Sequence, residues 1–158
     1  MNSSFDRSTM NETWLTPPEI IKALGVFDLD PCAAVNQPWK TAKKHYTIND
    51  NGLFHAWQGR VWCNPPYGRK AQKFMEMLKN HGNGIALIFA RTETRNWFNN
   101  IWYNANAVLF IKGRLKFYDI NGNISGTAGA PSALIAYGNY NALILKNSKI
   151  KGKYIHLK

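Results

Sequence analysis

Apolar positions along this chain gather in short runs separated by glycine, proline and asparagine. "RVWC" (60–63) reads as a buried strand that stops at Asn64, and "GIALIFA" (84–90) is a continuous apolar run. Parallel strands show such runs when both faces are covered. Between the two, "RKAQKFMEMLKNHG" (69–82) places Phe74, Met77 and Leu78 on one helical face, with Gly82 as the stop. "ETRNWFNNIWYNA" (93–105) spaces Trp97, Phe98, Ile101 and Trp102 for one face of a second helix. Upstream, "TPPEIIKALG" (16–25) predicts a short helix. Thr16 and Glu19 make a capping-box pair there, Pro17 takes the first helical position and Gly25 ends it.

The remaining runs predict strands: "VFDLDPC" (26–32), "KKHYTI" (43–48), "AVLFIKG" and "RLKFYDI" on either side of Gly113, "SALIAYG" (132–138) and "NALILK" (141–146). "NGNISGTAGAP" (121–131) carries three glycines and predicts a loop. Strand and helix alternate through the middle and strands follow one another at the end. That order predicts an α/β fold whose sheet is parallel in its centre and antiparallel toward the C-terminus.

No repeat or linker divides the 158 residues, so a single domain over residues 13–158 is expected, after a polar, flexible segment over residues 1–12. A hydrophobic content of 45% and a charged content of 18% fit a soluble domain. The apolar runs are far too short for a membrane span, and the N-terminus has no hydrophobic signal core. Cys32 and Cys63 form no paired metal spacing and the four histidines are scattered, which argues against a bound metal. Two free thiols suit the cytoplasm.

Charge changes the picture most. Twenty basic residues against nine acidic ones give a net charge of +11. No carboxylate side chain occurs from Ile120 to Lys158, and between Arg60 and Lys116 the only acids are Glu76 and Glu93. A domain this basic attracts polyanions, nucleic acid first among them.

Candidate chemistry lies at strand ends, because open α/β sheets bind ligands at the carboxyl ends of their strands. Two such ends stand out, "DLDPCA" and "VWCNPPYG". Proline cannot donate to a sheet ladder and biases its predecessor toward an extended shape, so Asn64-Pro65-Pro66-Tyr67 projects stiffly from the sheet. The Asn64 side chain and the freed carbonyls supply acceptors, and Tyr67 supplies a flat apolar face. Acceptors beside a stacking ring suit a planar heterocycle that carries an exocyclic amine.

The run "W-x-TPPE … LDPCA … NDNGL … W-x-GRVWCNPPYGR … RTETRNWF … IKGRLKF … APSALIAYG" resembles the phage- and prophage-type DNA adenine N6-methyltransferases. The resemblance covers roughly residues 14–138, in family order. It implies a Rossmann-like methyltransferase fold, S-adenosylmethionine as methyl donor without a metal, and DNA as the partner. It also implies a phage- or prophage-encoded enzyme acting in the cytoplasm of a bacterial host, as a monomer or weak homodimer. Asn64 and Pro65, followed by Pro66, would accept the amine protons, and Tyr67 would stack on a base flipped from the duplex.

On the same resemblance, Thr16, Pro17, Asp30, Pro31, Cys32, Ala33 and Asp50 would line the cofactor site. The chain departs from methyltransferases at large in having Pro-Cys-Ala-Ala where many carry Gly-x-Gly. Asp30 and Asp50 are equally explained as turn formers, and Thr16 as a helix cap. Arg69, Lys70, Arg91, Arg95, Arg114 and Lys116 are expected at DNA phosphates or bases. "DINGNISGTAGAP" and the basic C-terminal segment are the expected DNA-reading parts. "Pro-Cys" also resembles the nucleophile motif of cytosine C5-methyltransferases, but Cys32 precedes the Asn64–Tyr67 motif and falls in the cofactor segment. Other amines remain as acceptors (RNA adenine, cytosine N4, a protein glutamine), as does a non-catalytic nucleic-acid-binding module on the same fold.

Overall fold

A computed structural model describes residues 14–158, and the expected flexible segment over residues 1–12 lies outside them. In chain order the strands are β1 (Leu29–Asp30), β2 (Lys44–His45), β3 (Val61–Cys63), β4 (Gly84–Phe89), β5 (Ala107–Ile111), β6 (Lys116–Tyr118), β7 (Ile124–Thr127), β8 (Ser132–Tyr137) and β9 (Gly152–His156). The helices are α1 (Pro18–Leu24), α2 (Arg69–His81), α3 (Arg95–Trp97) and α4 (Asn139–Asn147); a π-helical turn, Phe98–Trp102, continues α3.

Seven strands make one sheet in the order β2-β1-β3-β4-β8-β5-β9. β1 to β5 run one way, and β8 and β9 run the other. The fold is mixed α/β with a mostly parallel sheet, as the alternation of runs predicts. Strand alternation sends Trp62, Ile85, Leu87, Leu134 and Ala136 to one face, under α1 and α4. Val61, Cys63, Ala86, Ile135 and Tyr137 go to the other, against α2 and the π turn. β3 and β4 close tightly because Gly84 has no Cβ, which would collide with the Val61 carbonyl.

The carboxyl ends of β1, β3, β4 and β5 lie along one edge of the sheet, where β8 begins. β6 and β7 form a separate hairpin at that edge, joined by Leu15 in an antiparallel bridge to Tyr118. No helix among the described residues is long and apolar enough to cross a membrane.

Several elements differ from the sequence expectation. "NALILK" is helical within α4: Asn141, Ala142 and Leu145 are buried while Leu143 is 55% exposed, a spacing for one helix face. "GNISGT" is not a loop, because Ile124–Thr127 pairs with β6. The closing strand of the sheet is Gly152–His156, a segment without an apolar run. Met77 packs half-buried against the core with Phe74 and Leu78 as expected, and Met75, which the spacing does not place there, is fully buried beside them. Phe98 is 46% exposed while Trp97 and Ile101 are buried: it opens a π turn, whose wider pitch takes it off the face of Ile101. The capping box does not form: α1 begins at Pro18, and no side chain caps it.

Candidate active site

β3 carries three fully buried residues to the sheet edge, and Asn64-Pro65 then leaves it. The Asn64 side chain is pinned from one side. Its Nδ2 donates to the Trp14 carbonyl at 3.2 Å and to Thr16 Oγ1 at 3.1 Å. With the amide nitrogen held there, Oδ1 is the end left to accept from a ligand. Thr16 is therefore buried against the motif instead of capping α1. Among the described residues, no loop, turn or side-chain hydrogen bond uses the Pro65 carbonyl. The Asn64 side-chain oxygen and the Pro65 carbonyl are thus two acceptors on consecutive residues.

Tyr67 is half-exposed and stacks on Phe89, with ring centroids 5.0 Å apart and an interplanar angle of 27°. Phe89 ends β4, and the Arg91 guanidinium lies 5.7 Å from its ring. These residues border a cleft of about 530 Å³, within the range of small-molecule sites. Arg69, Arg91 and Arg95 ring it, Leu87 and Phe117 form part of its apolar wall, and Ser132 borders them. Lys70, Arg114 and Lys116 are exposed and do not line it, though Lys116 opens β6, next to Phe117, and Arg114 precedes it.

Phe89, Thr94, Asn96, Phe117 and Ser132 were not singled out by the sequence. The strand-end rule alone would have found Phe89. Ser132 needed the β4–β8 register, which no local pattern reveals. Its hydroxyl is buried without a partner among the described residues, as are Arg60 Nη2 and Trp62 Nε1. Leaving such a group unpaired costs about 1–3 kcal/mol.

The β1 end is built separately. Asp30 is 3% exposed; its oxygens accept from the Cys32 N–H at 3.1 Å and from Thr41 Oγ1. Burial pushes its carboxyl from 3.8 up to about 6, against the opposing pull of those two bonds. Lys43–Asp28 is the only ion pair among the described residues, so no basic side chain neutralises Asp30. A buried acid with no cation beside it fits a positively charged ligand. Pro31 and Ala33 are buried, and the Pro31 carbonyl lies where a Cβ on Gly52 would collide with it, which docks the 47–54 loop here. Asp50, on that loop, closes a turn: its Oδ2 accepts from Thr47 N at 2.8 Å and Oγ1 at 3.2 Å.

Cys32 and Cys63 place their sulfurs 3.7 Å apart, both as free thiols. Burial, and then the neighbouring Cys63, push the Cys32 thiol well above its ordinary value. A nucleophilic cysteine needs the opposite shift, so the structure supports setting aside the cytosine C5 reading. Among the described residues no three His, Cys, Asp or Glu side chains are grouped to hold a metal ion.

The raised Asp30 carboxyl makes a stability prediction. Between about pH 4 and 6 the folded chain keeps a proton that the unfolded chain has released. Stability therefore falls as pH rises through that window, by up to about 3 kcal/mol. Asp30→Asn should remove the loss, raising stability at pH 7.5 by about 1–3 kcal/mol and flattening the wild-type decline. Thermal melts of both proteins from pH 4 to 8 check this. Parallel curves would show that Asp30 ionises in the folded chain as it does in the unfolded one.

A family model described as "DNA N-6-adenine-methyltransferase (Dam)" matches residues 3–145 of the chain. No curated protein and no solved structure matches it.

Proposed function

Since the chain belongs to the DNA N-6-adenine-methyltransferase (Dam) family, we propose that it transfers a methyl group from S-adenosylmethionine to the N6 amine of adenine in DNA. The observation that carries this is the Asn64 amide, whose nitrogen is tied to Trp14 and Thr16, so that its oxygen is the end left to accept, one residue before Pro65. The amine of adenine is a poor nucleophile because its lone pair is delocalised into the ring. Two fixed acceptors hold both amine hydrogens and favour the geometry in which that lone pair leaves the ring plane. Catalysis of this kind is positioning and electrostatics, with no covalent nucleophile.

The order β2-β1-β3-β4-β8-β5-β9, with antiparallel β8 inserted between β4 and β5, supports reading the sheet as Rossmann-like. We read residues 13–158 as a single catalytic domain. S-adenosylmethionine supplies a methyl group on positively charged sulfur, and a buried, unneutralised Asp30 at the β1 end fits a cation of that kind. Thr16, Pro17, Pro31, Cys32 and Ala33 would line the same end, with Asp50 on the docked loop. Tyr67 would take the face of a base flipped from the duplex, since the amine is out of reach inside the helix.

Arg69, Arg91 and Arg95 ring the cleft; with Lys70, Arg114 and Lys116 they would hold the phosphate backbone. The β6–β7 hairpin is the candidate DNA reader, with Ile124 60% exposed upon it. Replacing Arg91 and Arg95 together with alanine should weaken DNA binding alike for all sequences. The slope of log affinity against log salt should become shallower by about 2. Binding titrations at several salt concentrations measure it; an unchanged slope would take both arginines off the phosphates.

The direct test of function supplies the protein with methyl-labelled cofactor and duplex DNA. Label recovered as N6-methyladenine supports the assignment. Label on another base, or on protein, would move the acceptor while keeping the motif.

A further inference from the structure

Ser132 opens β8 and is the cross-strand partner of Phe89. Alternation along β8 puts its side chain on the face shared by Leu134 and Leu87. Asn64 follows Cys63 off the strand end, and its side chain bonds the backbone of Trp14, which packs against that same face. Ser132 is 1% exposed, borders the cleft with Asn64 and Phe117, and its hydroxyl has no partner among the described residues. Neither Arg60 nor Trp62, whose atoms are also unpartnered, lines that cleft.

A buried hydroxyl without a partner costs stability, and an acceptor brought by a ligand would relieve it. The groups at hand differ in kind. Asn64 Oδ1 and the Pro65 carbonyl can only accept, which matches the hydrogens of an amine. Adenine also carries ring nitrogens near that amine, N1 on one side and N7 on the other, and both are acceptors. Ser132 is a donor with no acceptor. We infer that Ser132 donates a hydrogen bond to a ring nitrogen flanking the amine of the target adenine, an assignment that rests on reading the cleft as an adenine pocket. The serine then adds a third point of attachment, on the ring itself, to the two on the amine.

The experiment compares wild type and Ser132→Ala on an oligonucleotide that the wild type methylates. The target adenine is unmodified, 1-deazaadenine or 7-deazaadenine. Ser132→Ala should lower kcat/KM on the unmodified duplex about tenfold. Its melting temperature should be unchanged or higher, because a buried unpaired hydroxyl has been removed. Wild type should lose a similar factor on one of the two analogues, and Ser132→Ala should lose nothing further on that analogue. Ser132→Ala as active as wild type, or losses that multiply on both analogues, would overturn the inference. No transfer by wild type to adenine in any DNA would instead overturn the adenine reading beneath it.

Discussion

Asn64→Ala should lower kcat for methyl transfer about a thousandfold, or about 4 kcal/mol of transition-state stabilisation. The substitution removes one of two acceptors at the amine. It also removes the bonds from Nδ2 to Trp14 and Thr16, which anchor the segment leading into α1. The charged group nearest the cofactor end, Asp30, is untouched, so the equilibrium constant for S-adenosylmethionine should change little. Asn64→Asp separates anchoring from amine activation. It keeps an acceptor toward the amine but loses both donors to Trp14 and Thr16, so its kcat should fall between wild type and Asn64→Ala. Single-turnover kinetics and calorimetric cofactor titration measure the two effects independently. Turnover at the wild-type rate in Asn64→Ala would remove amine activation from this side chain.

Tyr67 should show a different signature. Stacking between a base and an aromatic ring contributes about 1–3 kcal/mol. Tyr67→Ala should therefore raise KM for DNA roughly ten- to a hundredfold and leave cofactor binding alone. Its ring already lies against Phe89, backed in turn by Arg91, so the platform is held before the base arrives. Tyr67→Phe keeps that stack and should stay within about threefold of wild type. Steady-state kinetics over a range of DNA concentrations distinguish the variants. Equal damage from Tyr67→Phe and Tyr67→Ala would assign the effect to the hydroxyl.

The Asn64–Tyr67 motif was legible because it breaks a strong local rule: a buried strand that runs into two prolines must stop and project. The parallel centre of the sheet was legible from continuous apolar runs. The end of the chain was not, because "NALILK" is a short apolar run whose periodicity fits strand or helix. Packing of Ala142 and Leu145 under the sheet decided for the helix. Strand β9, "GKYIH", has no apolar signature because it is a largely exposed edge strand. In the site, Thr16 suited both a helix cap and a ligand wall; the structure turns its hydroxyl to Asn64, a contact 48 residues away in sequence. Phe89 and Ser132 are invisible for the same reason. Their places in the cleft come from strand register between distant segments.

The central claim is that Asn64 and Pro65 present an adenine amine for methylation. The most direct measurement incubates wild type and Asn64→Ala with methyl-labelled S-adenosylmethionine and mixed-sequence DNA, duplex and single-stranded, over a range of salt. The DNA is then digested and its nucleosides separated. Label in N6-methyl-2′-deoxyadenosine from wild type, with about a thousandth of that rate from Asn64→Ala, is the predicted result. Label in any other nucleoside, equal label from both proteins, or no label from wild type under every condition would contradict it.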